Sequence, residues 1–126
     1  MRALVVEDHN QMRMMVRGML EETKRFELVD EAADGERGWE RILDLWTHSS
    51  DVYDLVVCDV NMPVLGGLEL LKRCRSRAEF RFLPFIMIST APSESTIAQA
   101  LGEYGANDFL VKPLCSKLFE QRVLLV

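Results

Sequence analysis

Five times along this chain a short apolar run gives way to a stretch whose apolar residues recur at helical spacing, and that alternation restricts the fold to the α/β class. Residues 3–6 read as a buried strand, after which Met12, Met15, Val16, Met19 and Leu20 fall on one helical face. Residues 26–33 give a second strand, closed by Asp34-Gly35 and followed by the stripe of Trp39, Ile42, Leu43 and Trp46. The third strand, 53–58, is the most continuous apolar run and is expected at the centre of the sheet. Its loop passes Met62-Pro63 and Gly66-Gly67 into a helix bearing Leu68, Leu71 and Cys74. Residues 85–88 form the fourth strand, Ser93 is an N-cap, and Ile97, Ala98, Leu101 and Tyr104 mark a helix ended by Gly105. Residues 109–111 make a short fifth strand, Lys112-Pro113 breaks it, and the chain from 114 onward reads as a last helix.

The pattern is thus (βα)5, which implies right-handed crossovers and a doubly wound parallel sheet with helices on both faces and its site at the carboxyl ends of the strands. No Ser/Gly-rich linker or internal repeat interrupts it, so residues 1–126 are read as a single domain. The formal charge is −5, from 20 acidic against 15 basic residues, and no basic run offers a footprint for phosphates, which argues against direct nucleic-acid binding. The apolar runs are too short to cross a bilayer and the N-terminus lacks a signal-peptide pattern, so a cytoplasmic protein without membrane partners is expected. Cys58, Cys74 and Cys115 match neither a disulfide framework nor a zinc site and are read as reduced packing residues; strand alternation points Cys58 away from its neighbour Asp59. The apolar end Val123-Leu124-Leu125-Val126 reads as the front end of a longer regulator, with a free-standing protein as the alternative.

Glu7-Asp8 follow the first strand, Asp59 the third, Ser89-Thr90 the fourth and Lys112 the fifth, so all are expected on one rim. Neighbouring strands are about 5 Å apart, and at an effective dielectric of about 20 each carboxylate pair at that separation costs about 3 kcal/mol. Either the carboxyl pKa values rise or cations offset the charge: Lys112 supplies one positive charge, and a divalent ion supplies two. Oxygen-only ligands with no His or Cys nearby select a hard ion, and one that retains waters and accepts phosphate oxygens is Mg²⁺. A carboxylate beside Mg²⁺, a hydroxyl and a lysine suits phosphoryl transfer, with Asp59 as the nucleophile. His9 is expected at the mouth of the site and His48 on the surface.

In these motifs the chain resembles the receiver domains of bacterial two-component response regulators, from Arg2 to about Leu125. The resemblance is carried by Val5-Val6-Glu7-Asp8, Cys58-Asp59-Val60-Asn61-Met62-Pro63, Ile88-Ser89 and Val111-Lys112-Pro113, in matching order and spacing. It implies a CheY-like, flavodoxin-like fold with strand order 2-1-3-4-5. It further implies that a histidine kinase or phosphotransfer protein donates a phosphoryl group to Asp59, and that the domain catalyses only its own phosphorylation and dephosphorylation. Mg²⁺ would be held by Asp8, Asp59, the Asn61 main-chain carbonyl and, directly or through water, Glu7. Lys112 would pair with the phosphoryl group; Ser89 would move to it and let Phe109 turn inward, altering the surface presented to an output domain or downstream protein. A phosphorylation-dependent homodimer is left open. Gly66 stands where the family often has Asp, which is expected to loosen the loop, and Ser89 rather than Thr90 is chosen as the switch hydroxyl because its interval from Asp59 fits. The Lys112-Pro113 bond is cis in many relatives.

Two other readings of the same residues stand beside this one. A small aspartyl-phosphate phosphatase would use Asp59 in the same way, although 126 residues leave little to cover a small organic phosphate. A flavodoxin-like cofactor binder shares the alternation, but Glu7-Asp8 after the first strand would repel an uncompensated phosphate.

Overall fold

A computed structural model describes residues 1–126. The five apolar runs form β1 (Arg2–Val6), β2 (Leu28–Ala32), β3 (Leu55–Asp59), β4 (Phe85–Ser89) and β5 (Asp108–Val111), all parallel in the order β2-β1-β3-β4-β5. Between them lie α1 (Asn10–Glu22), α2 (Gly35–Ser49), α3 (Gly67–Arg75), α4 (Glu94–Ala98) and, at the end, α5 (Ser116–Leu125). A single 3-10 turn, Ala78–Phe80, precedes β4 and had no counterpart in the sequence pattern. The fold class and strand order expected from the sequence are those observed.

Alternation on the strands divides the core in two. Ala3, Val5, Leu55, Val57, Ile86, Ile88 and Leu110 pack beneath α1 and α5 with Val16, Leu20 and Phe119. Leu4, Val6, Val56, Cys58, Phe85 and Met87 pack on the other face with Ile42, Leu70, Leu71 and Phe80. Both faces of β3 and β4 are therefore buried, which is why these strands read as unbroken apolar runs.

Side-chain caps start two helices: Ser93, the N-cap expected from the sequence, accepts the Thr96 N–H at 3.1 Å, and Asp34, read from the sequence only as closing the second strand, accepts the Arg37 N–H at 2.8 Å. Other expectations shift. β2 begins at Leu28, because Phe26 is buried before the ladder starts, and Tyr53 is buried ahead of β3 with its hydroxyl donating to Asp30 at 2.7 Å. Met15 is 40 % exposed, off the buried stripe of α1. After Ala98 the fourth helix widens into a π-helical turn, Gln99–Glu103, closed by the Tyr104 N–H donating to the Gln99 carbonyl at 2.8 Å. That extra residue per turn rotates the face, so Ala100 is buried while Leu101 points to solvent.

Candidate functional site

Parallel register brings the distant segments level. Val6 pairs with Cys58, Asp59 with Ile88, and Ser89 with Val111, so Glu7, Asp59, Ser89 and Lys112 emerge along one rim. Alternation then sorts them. Glu7, Asp59 and Lys112 each follow by two a residue that packs beneath α1 and α5, namely Val5, Val57 and Leu110. Ser89 follows Met87 on the opposite face, where Phe109 also packs, half-buried.

The Lys112 ammonium donates to Glu7 Oε1 at 2.7 Å and to Asp59 Oδ2 at 3.1 Å. One carboxylate oxygen from each of Glu7, Asp8 and Asp59 lies within 4.8 Å of the other two. Glu7 is fully buried and Asp59 nearly so, whereas Asp8 faces solvent at the open side of the cluster. Burial pushes the Glu7 carboxyl up to about 7; the Lys112 bond opposes this, and the neighbouring Asp59 and Asp8 add to it. Burial works against the Lys112 charge too, but the Glu7 and Asp59 carboxylates outweigh it and hold the ammonium above the usual lysine range. One cation thus faces three carboxyl groups, and the donor set is oxygen alone, which fits a small hard dication.

The remaining expected residues sit around this cluster. Asn61 is exposed, with its N–H directed at Asp59 Oδ1 at 3.4 Å. Ser89 is 1 % exposed, and its hydroxyl oxygen has no hydrogen-bond partner, while Thr90 is exposed. An orphaned buried hydroxyl on the same rim as a carboxylate cluster is a donor without an acceptor. His9 is exposed at the mouth, its main-chain N–H reaching Glu7 Oε2 at 3.3 Å, and His48 lies on the surface against the Asp44 carbonyl. Cys58 is buried in the face opposite Asp59's side chain, and burial pushes its thiol well up, leaving it inert packing. The Lys112-Pro113 bond is cis.

Two glycines fix the loop that follows Asp59. A Cβ on Gly67 would fall 2.0 Å from the Asp59 carbonyl oxygen, and one on Gly35 would fall 2.2 Å from that of Leu65. Gly66 leaves α3 without a side-chain cap, but the loop is held instead by Gly67 N–H to Val60 O at 2.9 Å and Gly35 N–H to Leu65 O at 3.1 Å. Between them Leu65 N–H closes on Pro63 O at 2.8 Å, a three-residue turn that puts Val64 at φ 69°. A cleft of about 540 Å³ lies elsewhere, between α1 and α2, and none of the acidic cluster lines it. Sequence reasoning gave no role to Arg13, whose guanidinium reaches the Glu7 carbonyl; its one signal was a charge next to Met12 on a helix entering the rim.

Residues 3–124 match the family described as the response regulator receiver domain. The chain belongs to that family. Among curated receivers it is 32 % identical over 126 residues to chemotaxis protein CheY1 of Helicobacter pylori, spanning 100 % of this chain and 96 % of that one. It is 31 % identical over 123 residues to a CheY homologue of Campylobacter jejuni, spanning 98 % and 89 %. Among solved receivers, Vibrio cholerae CheY4 superposes with a TM-score of 0.84 at 29 % identity, covering 99 % of this chain and 97 % of that one. A CheY from Borrelia burgdorferi, solved in complex with CheX, BeF3 and Mg²⁺, gives 0.86 at 27 % identity, covering 98 % and 87 %. The chain is therefore a CheY-type signalling receiver of the two-component class rather than a turnover enzyme. No helix in it is long and apolar enough to cross a membrane.

Proposed function

We propose that this chain, as a single domain over 1–126, is a cytoplasmic phosphorelay switch that accepts a phosphoryl group on Asp59 from the phosphohistidine of a kinase or phosphotransfer protein. The observation that carries the reading is the Lys112 ammonium lodged between Glu7 and Asp59 with the carboxylate of Asp8 alongside. In this reading Glu7, Asp8, Asp59 and the Asn61 carbonyl would hold Mg²⁺, which when bound would neutralise charge on the phosphoryl oxygens. An Asp59 carboxylate oxygen attacks phosphorus, the new O–P bond forms as the P–N bond breaks, and the electron pair returns to the donor imidazole. Lys112 pairs with one phosphoryl oxygen, and the Ser89 hydroxyl, which lacks an acceptor, donates to another. Drawing Ser89 toward Asp59 makes room on the opposite face for Phe109, which repacks the surface around β4 and β5 and controls an output domain or partner protein. The turnover-phosphatase reading finds less support, since the clefts of about 540 and 290 Å³ are both lined without Asp59.

Incubation with acetyl phosphate and Mg²⁺, read by intact mass, tests the assignment. Wild type is expected to gain one hydroxylamine-labile phosphoryl group, and Asp59→Asn none. Mg²⁺-dependent modification persisting in Asp59→Asn would overturn it.

A further inference from the structure

Arg13 lies outside the receiver motifs, yet its side chain is only 17 % exposed and all three guanidinium nitrogens are engaged. Nη1 donates to the Glu7 main-chain carbonyl at 2.8 Å, Nη2 to Asn10 Oδ1 at 2.7 Å, and Nε to Glu31 Oε1 at 3.1 Å. Arg17 holds the other oxygen of Glu31 at 2.6 Å, so the anchor on β2 is itself fixed. We infer that Arg13 is a positioning residue for the Glu7–Asp8 pair: by gripping the Glu7 carbonyl it sets the peptide plane from which Asp8 faces its partners, and so the geometry in which the acidic cluster takes a dication. This rests on the reading of Glu7, Asp8 and Asp59 as metal ligands.

The peptide geometry explains why one side chain has such leverage. Glu7 lies just past the end of β1; its N–H is held by the Ala32 carbonyl at 3.0 Å and its C=O by Arg13. With both its N–H and its C=O held, the Glu7 backbone and the peptide plane leading into Asp8 are fixed. Asp8 is exposed and lacks the packing that fixes Glu7 and Asp59, so its backbone is the main constraint on where its carboxylate points. Arginine is required because a planar fork reaches three acceptors at once, on the rim, the first turn of α1 and β2, whereas a lysine ammonium reaches only a subset of them. A guanidinium also keeps its charge at every working pH, so this constraint does not titrate away.

A purely structural role, tying α1 to β2, would change the melting temperature and leave metal affinity alone. The experiment is therefore a calorimetric Mg²⁺ titration and a thermal melt in chelator for wild type, Arg13→Met, Arg13→Lys, Glu31→Gln and Asp8→Asn. Loss of a partner that orients metal ligands typically weakens affinity about 10- to 100-fold, and Arg13→Met is expected to fall in that range, with Arg13→Lys recovering only part of it. Glu31→Gln keeps an acceptor for Arg13, and is expected to lower the melting temperature while binding Mg²⁺ within about twofold of wild type. Wild-type Mg²⁺ affinity in Arg13→Met, or an equal loss in Glu31→Gln, would overturn the inference; if Arg13→Met does not fold, Arg13→Lys against Glu31→Gln decides. Unchanged affinity in Asp8→Asn would instead remove the metal reading on which it stands.

Discussion

Replacing Gly67 by alanine tests how closely the loop after β3 is seated against Asp59. The added Cβ would lie 2.0 Å from the Asp59 carbonyl oxygen, 2.9 Å from its carbonyl carbon and 2.9 Å from Met87 Cε. The methionine tip can swing aside, but the Asp59 backbone sits in a strand buried on both faces, so the first turn of α3 must retreat by about 1 Å to reach the 3.0 Å limit of real contacts. That movement strains the Gly67 N–H bond to the Val60 carbonyl. Overpacking of this kind costs about 1–3 kcal/mol and a weakened hydrogen bond about 1 kcal/mol, so Gly67→Ala is expected to lose about 2–4 kcal/mol in urea titrations. A misplacement of about 1 Å near a reacting group costs about a hundredfold in rate, so acetyl phosphate labelling of the folded variant should slow by about that factor. Gly18→Ala is the control: nothing lies within 4 Å of its Cβ, and a helical Gly to Ala change is expected to stabilise by about 1 kcal/mol. If Gly67→Ala unfolds within 0.5 kcal/mol of wild type, where roughly neutral surface changes fall, and labels at the wild-type rate, the tight seating of the loop is refuted.

Other outcomes follow from the same geometry. Glu7 binds its proton near pH 7 in the folded protein against 4.5 for an ordinary glutamate, so in chelator its contribution to stability is fully present below pH 4.5 and is lost as pH rises to 7. The loss is at most about 3 kcal/mol, and Glu7→Gln should flatten this part of the stability profile. Phe80 is fully buried with edge contacts to Trp39 and Trp46 at 5.8 and 6.3 Å, so Phe80→Ala should cost about 3–5 kcal/mol. Phe82, two residues on and 85 % exposed, should tolerate alanine within about 0.5 kcal/mol in the same melts. Arg75 donates to the carbonyls of Phe80, Tyr104 and Gly105, each at 3.1 Å; Arg75→Met should raise amide exchange across Gln99–Glu103 while leaving α1 protected.

The architecture was legible because burial on both faces writes strands as unbroken apolar runs, while one-sided burial writes helices as stripes. Where burial and hydrogen bonding part company the reading drifted, as at Phe26 and Tyr53, which enter the core without joining a ladder. The π-helical turn was invisible because Ile97, Ala98, Leu101 and Tyr104 fit a regular helix, and only the wider turn makes Ala100 the buried residue. Of the site, the convergence of Glu7, Asp8, Asp59 and Lys112 followed from strand ends in a parallel sheet. The pairing of Lys112 with Glu7 as well as Asp59, the complete burial of Glu7 and the reach of Arg13 did not, since these depend on side-chain directions that spacing does not specify.

Adjacent positions on a strand look in opposite directions, so the charged cluster and the Ser89–Phe109 pair share an edge while belonging to different layers. On the phosphorelay reading proposed above, a signal crossing this protein therefore needs no relay of intervening side chains. In the proposed switch, the thickness of a single sheet would separate cause from response, leaving the surfaces on the two sides free to diversify independently, one toward whatever delivers the signal and the other toward whatever receives it.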